Sequence, residues 1–110
     1  MVVRKWIGYA KKTQAEAYRT HISETVFPEV RLMPGFRQAL LLAREVKETA
    51  SDEVEFQALT FWQDMASVHA FSGDDLYTAV IEPRAQEVLS RFQTKVEYYE
   101  ALECVFPIET

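Results

Sequence analysis

A chain of 110 residues, 48% hydrophobic and 26% charged, has the make-up of one folded domain with a single core and little surplus. Its net charge is -5, and Lys and Arg fall singly or in pairs, so nothing favours nucleic acid; no apolar run is long enough to cross a bilayer. Cys104 is the only cysteine and the two histidines lie far apart, which excludes an internal disulfide and offers no metal-ligand spacing. With no secretory h-region at the start, the expectation is a cytoplasmic protein using neither metal nor cofactor.

Val2 to Tyr9 reads as a first strand, with Val2, Arg4, Trp6 and Gly8 on one face. An arginine sharing a face with Trp6 is expected to reach a sheet edge or a carboxylate. Thr13-Gln14-Ala15-Glu16 matches a capping box, and Ala15, Tyr18, Ile22 and Val26 follow at helical spacing. Pro28 and then Pro34-Gly35 are expected to end that helix. Phe36 to Val46 and Val54 to Trp62 read as two strands joined by a polar hairpin, Lys47 to Glu53. A short helix from Asp64 should stop at Gly73, with Asp74-Asp75 as a helix cap rather than a metal site. Leu76 to Ile81 reads as a further helical turn or two. Pro83 would open a helix running through Val88, Leu89 and Phe92. Gln93 to Leu102 is the last strand, followed by the tail from Glu103 to Thr110.

The order strand, helix, strand, strand, broken helix, strand is that of an α+β, ferredoxin-like βαββαβ domain with a four-stranded antiparallel sheet. One domain is expected over 1–110, its core spanning about 2–102. The helices can cover only one sheet face, yet the second and third strands are apolar on both. Leu41, Leu59, Phe61 and Tyr99 are expected on the uncovered side. Each large apolar side chain left wet costs about 1.5–3 kcal/mol. A second copy packed face to face, forming a homodimer, is the expected remedy; the C-terminal tail folding over that face is the other.

Several segments together resemble one known family. They are Arg4-Lys5-Trp6-Ile7-Gly8, Pro34-Gly35-Phe36, Val54-Glu55-Phe56 through Leu59-Thr60-Phe61-Trp62, Ala70-Phe71-Ser72-Gly73-Asp74-Asp75, Ala79-Val80 and Val96-Glu97-Tyr98-Tyr99-Glu100. The pattern, covering Val2 to Leu102, resembles the antibiotic biosynthesis monooxygenase family of dimeric α+β barrels. The resemblance implies a cofactor-independent monooxygenase acting on a small aromatic, phenolic or quinol-type substrate. A non-enzymatic ligand-binding or sensing dimer of the same fold is the alternative. The family's haem-degrading branch uses an Asn, a Trp and a His. This chain has no Asn, and Leu76 to Ile81 offers no His where the axial ligand would be, so only Trp62 matches. Relatives often carry His in the last-strand motif where this chain has Tyr98.

Cofactor-free oxygenation needs a dry pocket, a base for a phenolic or enolic proton, and aromatic walls. Trp62 is the candidate the resemblance favours, as a wall and N–H donor; its other reading is a core residue at the sheet edge. His21 is the candidate base, beside the apolar stripe of the first helix. Tyr77 and Tyr98 are candidate donors to a substrate oxygen, Arg84 a holder of an oxyanion or carboxylate, and Trp6 a further substrate-binding wall. Each has an ordinary structural reading beside it: packed tyrosines, a solvated arginine. His69 reads as partly exposed, and Cys104 has no neighbouring cation to activate it.

Overall fold

A computed structural model describes residues 1–47 and 52–105. In chain order its elements are β1 (Val2–Lys11), α1 (Lys12–His21), a π-helical segment (Ile22–Val26), α2 (Phe27–Val30), β2 (Phe36–Glu45), β3 (Glu53–Trp62), α3 (Met65–Ser72), α4 (Pro83–Val88), β4 (Arg91–Phe92) and β5 (Glu97–Glu100). β1 lies inside the sheet. It pairs antiparallel with β3 from Val2↔Trp62 to Lys11↔Glu53, and its other edge carries β4 and then β5. With β2 beyond β3, the order is β2-β3-β1-β4, which is the ferredoxin-like arrangement. The tail residues Phe106, Pro107 and Ile108 and the tip of the β2–β3 hairpin lie outside the described residues; the hairpin's pairing is present, with Val46 N–H donating to the Glu53 carbonyl at 3.0 Å.

The strand phase decides which side chains meet the helices. Arg4, Trp6, Gly8 and Ala10 of β1 alternate buried against half-buried neighbours, and on β3 Phe56, Thr60 and Trp62 are buried. Trp6, Ala10, Tyr18, Ile22, Phe56, Ala85, Val88, Leu89 and Val96 form the main core; Val30, Trp62 and Val68 form a second cluster at the far end. Ala15, Tyr18, Ile22 and Val26 all pack on the main core, as their spacing implies. Gly8 is where the sheet needs no side chain: a Cβ there would stand 2.5 Å from the Trp6 ring, which lies across it.

Where the structure departs from the sequence reading, the reasons are local. No capping box forms, because the helix starts at Lys12 and the Lys12 N–H donates instead to the Asp52 carbonyl at 2.7 Å. Pro28 does not end the helix. It removes a backbone donor and crowds the carbonyl four residues back, and the preceding turn widens to a π-helix, Phe27 N–H reaching the Ile22 carbonyl. Residues 76–81 are not helical; Leu76 and Tyr77 bend, Thr78 bridges Lys95, and Ala79 N–H donates to the Thr94 carbonyl. Asp75 therefore caps no helix: it accepts from the Tyr77 and Thr78 amides and closes a turn. The last helix ends at Val88, which leaves Phe92 in β4, and the last strand is split in two. Leu41 was expected on the outer face and lies on the inner one, opposite Ala58 and against the core. A bulge between Phe36 and Gln38 inverts the phase of β2, sending Leu40 and Leu42 outward in its place.

Candidate functional site

Between the inner sheet face and the helices lies a cavity of about 130 Å³. Its floor is Arg4 and Trp6 from β1 with Ala58 and Thr60 from β3; its roof is Tyr18, His21, Ile22, Val26, Phe27 and Val30. The π-helical turn forced by Pro28 is thus part of the roof. Phe71 of α3 closes one side, and the extended segment Ala79–Glu82 closes another. The two carboxylates in the wall, Glu29 and Glu82, are exposed or half-buried and belong to the rim, so the interior is aromatic and aliphatic with few polar groups.

Most of those polar groups are already satisfied. The Trp6 indole N–H donates to the Gln93 carbonyl at 2.7 Å, and the ring packs between Tyr18 and Phe92. Trp62 has no exposed surface and does not line the cavity. Its indole N–H donates to the Thr60 hydroxyl at 2.9 Å, and its ring stacks on Phe71 at 5.2 Å and meets Phe36 edge-on at 5.7 Å. Trp62 therefore stands one layer behind the wall. Burial pushes the Tyr18 hydroxyl far up from its ordinary pKa, so it is a hydrogen-bonding group rather than a base at neutral pH.

Two buried polar atoms of cavity-lining residues have no hydrogen-bond partner among the described residues: Arg4 Nη2 and His21 Nε2. His21 is buried at the end of α1, with Nε2 3.5 Å from Glu82 Oε2, within ion-pair range but too long for a good hydrogen bond. Among the described residues Arg4 reaches neither a sheet edge nor a carboxylate, contrary to the sequence expectation. Its Nε donates to the Tyr98 hydroxyl at 3.4 Å, its guanidinium lies 5.3 Å over the Phe71 ring, and Tyr98 in turn donates to the Leu76 carbonyl. Tyr98 thus orients Arg4 from outside the cavity, with Tyr77 packed edge-on against it at 5.4 Å and largely exposed. Arg84 is on the surface, paired with Glu87 at 3.1 Å, and lines an open groove rather than the cavity. His69 is exposed and bonded to Asp74, and Cys104 is exposed.

Of the six residues singled out from sequence, the cavity gathers His21 and Trp6; Tyr98 and Trp62 stand behind its wall, and Tyr77 and Arg84 lie away from it. The sequence reading did not single out Arg4, Tyr18 and Phe71, which also line the cavity. For Arg4 the signal was present, a lone cation on the buried face of β1. Among the described residues no cluster of His, Cys, Asp or Glu is set to hold a metal ion, and no helix is long and apolar enough to cross a membrane.

No family model matches this sequence, and no curated protein does. Solved structures do match. A provisionally assigned antibiotic biosynthesis monooxygenase of Bacillus cereus superposes with a TM-score of 0.65 at 11% identity, covering 97% of this chain and 98% of that one. SnoaB, a cofactor-independent oxygenase from Streptomyces nogalater, gives 0.54 at 11%, with 94% and 96% covered. MhuD, solved with manganese protoporphyrin IX in its active site, gives 0.61 at 16%, with 97% and 100% covered. The chain has the α+β, ferredoxin-like fold of antibiotic biosynthesis monooxygenase structures, and at these identities the likeness is one of fold.

Proposed function

We propose that this protein is a cofactor-independent monooxygenase for a small phenolic or quinol-type aromatic. The observation that carries the reading is His21, in the roof of an aromatic-walled cavity, with an Nε2 that makes no hydrogen bond and has only Glu82 within ion-pair range. A ring bound against Trp6, Tyr18 and Phe71 presents its hydroxyl to His21, which takes the proton as general base; Glu82 at 3.5 Å steadies the resulting imidazolium. The phenolate or enolate then gives its electrons to dioxygen. For a phenol with a hydrogen on its para carbon the balance is C₆H₅OH + O₂ → C₆H₄O₂ + H₂O, one oxygen atom entering the quinone and the other leaving as water. The protein's part is to orient, to exclude water and to hold the proton. The fold's porphyrin-binding example is not carried over: the chain has no Asn, and Trp62, its one match to the haem-degrading set, stands behind the cavity wall.

A second copy of the chain is the proposed partner, bound through the outer sheet face. Leu40, Leu42 and Tyr99 are 37, 46 and 51% exposed there, beside the half-buried Leu59 and Phe61.

An oxygen electrode with a panel of monocyclic phenols and hydroquinones, without added metal or flavin, tests the activity. Uptake that falls roughly 10²–10⁴-fold in His21→Gln is the expected result. Uptake unaffected by that change removes His21 from the mechanism. Ligand-induced thermal stabilisation across the panel with no uptake at all favours the binding or sensing reading, which the engagement of both indole N–H groups within the protein also supports.

A further inference from the structure

We infer that the ligand of this cavity is a monocyclic aromatic acid, its carboxylate held by Arg4; this rests on the cavity being the ligand site. Arg4 is 8% exposed, and no carboxylate lies within ion-pair range of it among the described residues. Its protein partners are neutral: the Tyr98 hydroxyl and the face of Phe71. A buried guanidinium with only neutral partners is a charge waiting for its counter-ion.

Arg4 Nε leans on the Tyr98 hydroxyl at 3.4 Å, Tyr98 donates to the Leu76 carbonyl, and the guanidinium lies over the Phe71 ring; Nη2 of this cavity-lining residue has no partner among the described residues. A planar fork so held matches a carboxylate better than a lone hydroxyl. Size limits the rest of the ligand. An apolar cavity of about 150 Å³ takes benzene, so a space of about 130 Å³ suits a single ring and fits a fused pair poorly, with the ring's substituents directed to Arg4 and to the open rim. The rim carboxylates Glu29 and Glu82 stand on the solvent side, so the anion's place is the Arg4 end. An acid seated there leaves a ring hydroxyl for His21.

Calorimetric titration of the full chain with para-hydroxybenzoate, its neutral amide para-hydroxybenzamide, and a hydroxynaphthoate tests this. The benzoate is expected to bind roughly tenfold or more tighter than the amide, as a charge-assisted pair requires, and the naphthoate not to bind. In Arg4→Met the preference for acid over amide should vanish while the amide still binds. Equal affinity of acid and amide in the wild-type chain overturns the inference, as does a preference that survives in Arg4→Met, or binding of neither compound. Should Arg4→Met not fold, the wild-type comparison decides alone. Oxygen uptake on neutral phenols with no acid preference sinks this inference and keeps the oxygenase reading. Acid preference without any uptake does the reverse.

Discussion

Replacing Trp62 separates a wall that reads the ligand from a core residue that supports the wall. The side chain has no exposed surface, and its ring is held between Phe71 at 5.2 Å and Phe36 at 5.7 Å. Trp62→Phe keeps one six-membered ring in that slot. It gives up the 2.9 Å bond to Thr60, worth about 1 kcal/mol, and leaves unfilled the space of the second ring's two extra carbons, worth about another 1.5 kcal/mol at roughly 0.8 per methylene equivalent. A loss of about 2.5 kcal/mol lowers Tm by roughly 10–20 °C in a domain of this size. Trp62→Ala should cost about 3–5 kcal/mol, a large part of the roughly 5–15 kcal/mol a domain has. Thermal and urea unfolding at one fixed protein concentration measures the first effect, and calorimetry with the monocyclic panel measures the second. Ligand affinity is expected to change little in Trp62→Phe, because Phe71 rather than Trp62 lines the cavity. A Trp62→Phe protein as stable as the wild type but unable to bind or turn over the panel would refute this placement.

Light scattering should give a mass about twice the 12.8 kDa of one chain, and Leu42→Glu, a charge set into the outer face, should halve it; a wild-type monomer contradicts the face-to-face assembly. Gly8→Ala puts a methyl 2.5 Å from the Trp6 ring, so the indole must tilt and its 2.7 Å bond to Gln93 is lost. The expected cost is about 1–3 kcal/mol with a shifted tryptophan emission and weaker ligand binding; unchanged emission would mean the ring does not lie over Gly8. The Arg44 hydrogen bonds, with help from Gln57 and Tyr9, hold the Glu55 carboxyl below its ordinary value. A pKa lower folded than unfolded adds stability that is present above the unfolded value and lost as pH falls through the folded one. Glu55→Gln should therefore flatten the acid limb of the urea midpoint against pH, and an unchanged limb would show the pair contributes nothing.

The element order and the helix stripe were legible because they rest on periodicity, which one chain displays in full. The bulge at Arg37 was not. Nothing in Phe36-Arg37-Gln38-Ala39 marks an extra residue, and strict alternation from Phe36 turns Leu41 outward. The error was confined to naming the leucines, because inverting the phase exchanges Leu41 for Leu40 and Leu42 and leaves an apolar outer face either way. Residues 76–81 differ for another reason: flanked by Gly73 and Pro83 they have no partner in their own sequence, and only the 94–96 segment, folded back onto residues 77–79, takes their backbone bonds in place of a helix.

The cavity lining was half legible for a related reason. His21 and Trp6 declared themselves by type and by the face they share with apolar neighbours. Trp62 has the same credentials, and what removes it from the cavity is the position of Phe71, nine residues on and brought back by α3 to stand in front of it. Aromatic identity on an inner strand face therefore says that a ring is buried, not whether a ligand can touch it. Arg4 shows the converse. A cation on that same face has no packing reason to be there, and the edge or carboxylate that would have excused it is absent among the described residues. An unexcused charge is thus a sharper pointer to a site than an expected aromatic, because burying it without a partner is costly and burying the ring is not.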